Sequence, residues 1–104
     1  MKKVVYGVSR ISRFGNSKMT GVGFITDEDL VIACVSRKGN AYIRVFEGCV
    51  KNCHAIPGRD GEFKGAHYEM REAEFEKKNS SGESTGHETR EIEVEYSVWY
   101  KLLD

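Results

Sequence analysis

The sequence predicts a mainly β fold, a small antiparallel barrel or sandwich of five or six strands. Three observations predict it. Apolar and polar residues alternate with a period of two over several stretches. Turn-forming residues recur about every 8 to 12 positions, as in small all-β domains. The chain has 104 residues, the length of one domain with one modest core, so residues 1–104 are read as a single unit.

The clearest strand closes the chain. In Glu91–Tyr100, Ile92, Val94, Tyr96, Val98 and Tyr100 point one way, and Glu91, Glu93, Glu95 and Ser97 the other. Five apolar residues in phase make a half-buried strand. Trp99 falls on the polar face. At the other end, Lys3 to Arg10 is rich in Val and Tyr and reads as a strand, followed by a basic, turn-rich loop from Ser12 to Lys18. Gly21–Ile25 and Leu30–Val35 read as a hairpin around Thr26–Asp29. The second arm lacks alternation, which predicts a strand buried on both faces. Arg37–Asn40 is a turn, with Gly39 free to take positive φ. Ala41 to Phe46 alternates again and makes a fourth strand. Cys49–Val50 reads as a strand continuation and Pro57–Gly65 as an exposed loop.

Ala66 to Lys78 is open between two readings. Its Glu, Met, Arg, Ala and Lys content favours a helix at about 66–78, which would make the fold α+β. As a strand it puts Tyr68 and Met70 in phase and needs a bulge near Arg71–Glu72 to bring Ala73 and Phe75 with them. Residues 79–87 (NSSGESTGH) read as a flexible polar loop.

Hydrophobic residues make 39% of the chain and charged residues 31%, a balance that suits a folded, soluble domain. No apolar run approaches the roughly 20 residues that span a bilayer. The short apolar stretch after Lys2 and Lys3 is too brief for a secretory signal, so an intracellular, cytoplasmic location is expected. Cys34, Cys49 and Cys53 are then read as free thiols. Net charge is zero, but residues 1–59 carry 10 Lys and Arg against 4 Asp and Glu, and residues 60–104 carry 6 against 12. That asymmetry suits a charged partner or a second copy of the chain.

Few motifs carry chemistry. There is no P-loop, dinucleotide fingerprint or nucleophile elbow, so no catalytic residue, enzymatic activity or cofactor is expected. Gly21 to Cys34 resembles the early hairpin of trypsin-like peptidases over 14 residues. That family's catalytic histidine follows the second arm, where this chain has Val35 and Ser36, and the chain is too short for the two-barrel fold. The resemblance implies a buried hairpin and carries no activity with it. Cys49, Cys53 and His54 supply soft ligands for a zinc module, but with poor spacing and no second ligand pair.

Two surfaces remain. If 66–78 pairs with the last strand, Glu72, Glu74 and Glu76 share a face with Glu91, Glu93 and Glu95. Six carboxylates repel one another and suit a basic partner, with Trp99 beside them. The expected function is therefore protein binding by a small regulator or inhibitor, a phage- or virus-encoded one among them, with homo-oligomers in scope. The alternative is a β module that binds nucleic acid or a phosphorylated ligand through Arg10, Arg13, Lys18, Arg37, Lys38 and Arg44, with interleaved aromatics to stack bases.

Overall fold

The computed structural model describes residues 1–11 and 17–103. The chain forms β1 (Lys2–Arg10), β2 (Ser17–Thr26), β3 (Asp29–Val35), β4 (Ala41–Phe46), a 3-10 helix (Cys49–Asn52), β5 (Cys53–Ala55), β6 (Glu62–Lys78) and β7 (Ser84–Leu102). All seven strands belong to one antiparallel sheet in the order β4-β3-β2-β1-β7-β6-β5. The mainly β expectation holds, with seven strands in place of five or six and neither a closed barrel nor a sandwich. Residues 66–78 are strand, so the helical alternative is overturned. The β6–β7 register runs unbroken from Glu62↔Lys101 to Lys77↔Gly86, and its one irregularity lies at Lys77/Lys78 rather than at Arg71–Glu72.

The first and last strands occupy the middle of the sheet. β1 pairs with β2 from Lys2↔Ile25 to Arg10↔Ser17 and with β7 from Val4↔Leu102 to Arg10↔Tyr96. Val4 and Val8 are completely buried there. Directly opposed residues share a face, so register assigns each side chain. The inner face collects Val4, Tyr6 and Val8 with Ile25, Leu30, Ile32 and Phe46, and with Val94, Tyr96, Val98 and Tyr100. The alternating stripe of β7 thus faces the core as its sequence requires.

The sheet curls until its two sides meet. Phe46 of β4 touches the ring of His67 on β6, with centroids 5.3 Å apart, and the ring of Tyr96 on β7 at 5.6 Å. Yet the ladder does not close, and strand direction together with the short link between the edges explains why: parallel neighbours need a crossover of about a dozen residues. Every neighbouring pair is antiparallel, which leaves the edge strands β4 and β5 running the same way. Codirectional strands cannot be joined by a tight hairpin. Residues 47–52 bridge the gap instead, as the 3-10 helix where strand continuation is expected from Cys49–Val50. Gly48 enters it at φ 68°, its N–H donating to Asp29 Oδ1 at 2.8 Å, while Val50 N–H donates to the Glu28 carbonyl at 3.0 Å.

The turns follow local chemistry. Asp27 takes φ 54° in the β2–β3 reversal, a conformation Asp tolerates better than most residues. The β6–β7 reversal spans residues 79–83, where the Asn79 side chain accepts from the N–H groups of Ser81 and Glu83 at 2.9 and 3.0 Å. β7 resumes at Ser84, inside the polar stretch.

One expectation fails instructively. Leu30–Val35 is apolar on both sides but is covered on one only. Leu30 and Ile32 are buried, while Ala33 and Val35 on the opposite face are exposed.

Gly65 marks the tightest backbone approach. A Cβ there would run into the carbonyl of Asn52, at the point where the 3-10 helix hands over to β5. At Gly7, by contrast, a Cβ would meet only the Trp99 ring at 3.7 Å, an ordinary contact. Gly65→Ala is therefore expected to cost about 3 kcal/mol through overpacking. Gly7→Ala should be neutral or stabilising by about 0.5 kcal/mol. Urea unfolding midpoints of the two variants check the contrast.

Candidate functional site

The β6–β7 hairpin is the longest feature of the molecule, which measures 60 × 33 × 23 Å. β6 is 17 residues long, but β5 pairs with only Phe63, Lys64 and Gly65 of it. β1 pairs with β7 only from Tyr96 onward. Among the described residues, 71–78 and 84–92 therefore find backbone partners only in each other.

Register fixes the two faces of this ribbon. On the outer face Glu72 stands opposite Glu91, Met70 opposite Glu93, Tyr68 opposite Glu95, Glu74 opposite Thr89 and Glu76 opposite His87. The six glutamates singled out from the sequence thus share one side. All are exposed except Glu95, which is half-buried and accepts a hydrogen bond from the Tyr68 hydroxyl at 3.2 Å. Sequence reasoning missed Tyr68 and Met70 on this face, 51% and 59% exposed. Their i, i+2 spacing with Glu72 and Glu74 was the available signal.

Trp99 lies on the same side, lower down, opposite Lys64 on one flank and Gly7 on the other. Its ring sits over Gly7, which has no side chain to displace it, an aromatic covering a glycine gap. Its Nε1 donates to Glu62 Oε1 at 3.2 Å. Trp99 is therefore half-buried and held in place at the base of the ribbon.

The inner face of the hairpin carries a polar cluster. Arg44 reaches across from β4 and donates to Glu69 Oε2 at 2.6 Å and to the Tyr96 hydroxyl at 3.1 Å. Its guanidinium lies over the Phe46 ring at 4.4 Å. His67, which is buried, donates through Nε2 to Glu69 Oε1 at 3.0 Å, and Arg71 reaches Oε2 of the same carboxylate at 3.4 Å. His67 and Glu69 stand two apart on one strand, so a strand reading of 66–78 already places them on one face. A cleft of about 500 Å³ opens beside them, with Val45 and Glu47 on one wall and Tyr68, Met70 and Arg71 on the other. The cluster saturates both oxygens of Glu69 and acts as a clamp across the seam.

The other predicted residues scatter. Arg44 is committed to the clamp, so it is not a free phosphate ligand. Arg10 is half-buried at the end of β1, and Arg13 lies outside the described residues. Lys18 sits at the start of β2, and Arg37 and Lys38 are exposed in the β3–β4 turn. The zinc alternative fails on geometry. Cys49 and Cys53 are buried, whereas His54 is exposed, as alternation along β5 dictates. Among the described residues no three His, Cys, Asp or Glu side chains come together to hold a metal ion. Cys49 and Cys53 are free thiols, and a hydrogen bond between them, together with burial, pushes the Cys49 thiol well up. Burial, with these two sulfurs nearby, pushes the Tyr100 hydroxyl up to about 12.

No family model, curated protein or solved structure matches the chain. Fold and faces define its class: a mainly β domain of one curled, unclosed antiparallel sheet. No described helix is long and apolar enough to cross a membrane.

The clamp makes stability depend on pH in one direction. Burial opposes the charge on Glu69, but the His67 hydrogen bond and the Arg44 guanidinium outweigh it and hold the carboxyl below its ordinary range. A folded-state value below the unfolded one contributes stability above the unfolded pKa, and that contribution is lost as pH falls through the folded value. Unfolding free energy is therefore expected to drop as pH falls below about 4.3, the ordinary glutamate value. Glu69→Gln should lower stability at neutral pH and flatten that slope, as urea melts at stepped pH would record.

Proposed function

We propose that this protein is a non-catalytic binding module whose outer β6–β7 face engages a basic protein surface. The observation that carries the reading is the placement of six glutamates on one side of a ribbon whose distal half, among the described residues, pairs only with itself. Carboxylates directly opposed across strands, as at Glu72 and Glu91, destabilise an isolated sheet. The inner cations Arg44 and Arg71 are held by Glu69 on the opposite face. Arg90 is bonded to Glu88, also on the inner face. The repulsion on the outer face is thus left for a partner's lysines and arginines to relieve. Tyr68 and Met70 add apolar contact among the charges, the mixture that binding surfaces favour. A small regulator or inhibitor is the kind of protein this would be.

The alternative, a binder of nucleic acid or a phosphorylated ligand, retains Lys18, Arg37 and Lys38 as exposed cations but loses Arg44 to the clamp. No observation favours it over the first reading.

The two separate experimentally. A basic protein captured from the native host by the wild-type chain should be lost, by at least about ten-fold in affinity, when Glu74, Glu93 and Glu95 become Gln. The variant should keep its β-type circular dichroism. Capture unchanged by the three substitutions contradicts the proposal. Retention on immobilised DNA that weakens with Lys18→Ala and falls with salt would favour the alternative.

A further inference from the structure

The outward face of β2, β3 and β4 is apolar where the outward face of the β6–β7 ribbon is acidic. Register places Phe24, Val31 and Val45 in one row across it, and Val22, Val35 and Ile43 lie on the same side. Val35 and Ile43 are each 71% exposed, Val22 is 51% exposed, and Val45 and Phe24 are 42% and 40% exposed. Only Ala33 and Ala41 fill the gaps, no charge interrupts the stretch from Val31 to Val35, and the one charge between Ala41 and Val45, Arg44, lies on the inner face, where it binds Glu69. Leu30 and Ile32 pack into the core on the other side. β3 therefore has the composition of a strand covered twice, and the chain covers it once.

We infer that this face is an interface between two copies of the chain, packed sheet on sheet. Two arguments select a second copy. The first is area. The six large residues leave roughly 500 Å² of apolar surface open, the upper range of what a monomer tolerates. Pairing two such faces buries about 1,000 Å², the threshold for a specific interface. The second is charge. One end of the patch carries Arg37 and Lys38 in the β3–β4 turn, and the other carries Asp27 and Glu47, with Glu28 there already paired to Lys51 at 2.9 Å. A two-fold axis lying between the sheets and perpendicular to the strands reverses strand direction in the second copy. It sets each basic end over the partner's acidic end twice, with the neutral apolar field between them. That is a closed, isologous arrangement, and sheets so packed lie about 10 Å apart. The inference is independent of the acidic-face reading, because the two surfaces lie on different strands.

Light scattering behind size exclusion, at tens of micromolar protein, tests it. The expected mass is twice the 11.8 kDa chain. Ile43→Lys and Val22→Lys should each return a monomer with unchanged circular dichroism. Val22 lies two strands from the free β4 edge, so it separates face packing from simple edge pairing. A dimer lost with Ile43→Lys but kept with Val22→Lys overturns the face-to-face arrangement. A wild-type monomer, open-ended aggregates, or a dimer that survives both substitutions overturns the inference altogether.

Discussion

The structure depends on the contact between β4 and the β6–β7 pair across the open seam. Arg44 and Phe46 stand on one edge of the sheet, and His67, Glu69 and Tyr96 receive them from the far side. Phe46 is fully buried, a burial of about 1.5–3 kcal/mol that exists only because the sheet is curled. A flat seven-stranded sheet of this sequence would expose that ring, leave Arg44 and Glu69 apart, and open the inner valines and tyrosines to water. The ladder stays open between two codirectional edge strands joined by only residues 47–52, too short a link for a parallel crossover, so side chains do the joining that backbone hydrogen bonds do in a closed barrel.

The same contact divides the hairpin into a rooted half and a free half. Up to Glu69 and Val94, β6 and β7 are tied inward by the clamp and by the stripe of β7. Beyond Arg71 and Ile92 they pair, among the described residues, only with each other. Trp99, fixed over Gly7 and bonded to Glu62, stiffens the root on the outer side. The charge layout then has a physical sense. Glutamates outward keep the free ribbon from pairing with other sheets, and they give it one sign of charge to present.

Much of this was legible in the sequence, and the limits are instructive. The alternation in β7 gave its inner stripe directly, because every second residue from Ile92 to Tyr100 is apolar and nothing interrupts the phase. A strand over 66–78 paired with the last strand places the six glutamates on one face from sequence alone. What composition obscured was 66–78 itself, where Glu, Met and Lys favour helix locally and long-range pairing with β7 overrode them. The clamp was hidden for another reason. Arg44 and Glu69 are 25 positions apart, and their meeting depends on the curl. β5 and the 3-10 helix answer to strand direction, which no local pattern encodes. The doubly apolar β3 was read correctly as composition and wrongly as burial, since the chain supplies only one cover.

The central claim is that the sheet curls until β4 meets β6. Nuclear Overhauser contacts between ring protons test it most directly. The account expects strong cross-peaks from Phe46 to both His67 and Tyr96, consistent with ring centroids 5.3 and 5.6 Å apart. Their absence in a folded sample, with the β1–β7 contacts intact, would mean a flatter sheet and would contradict the account.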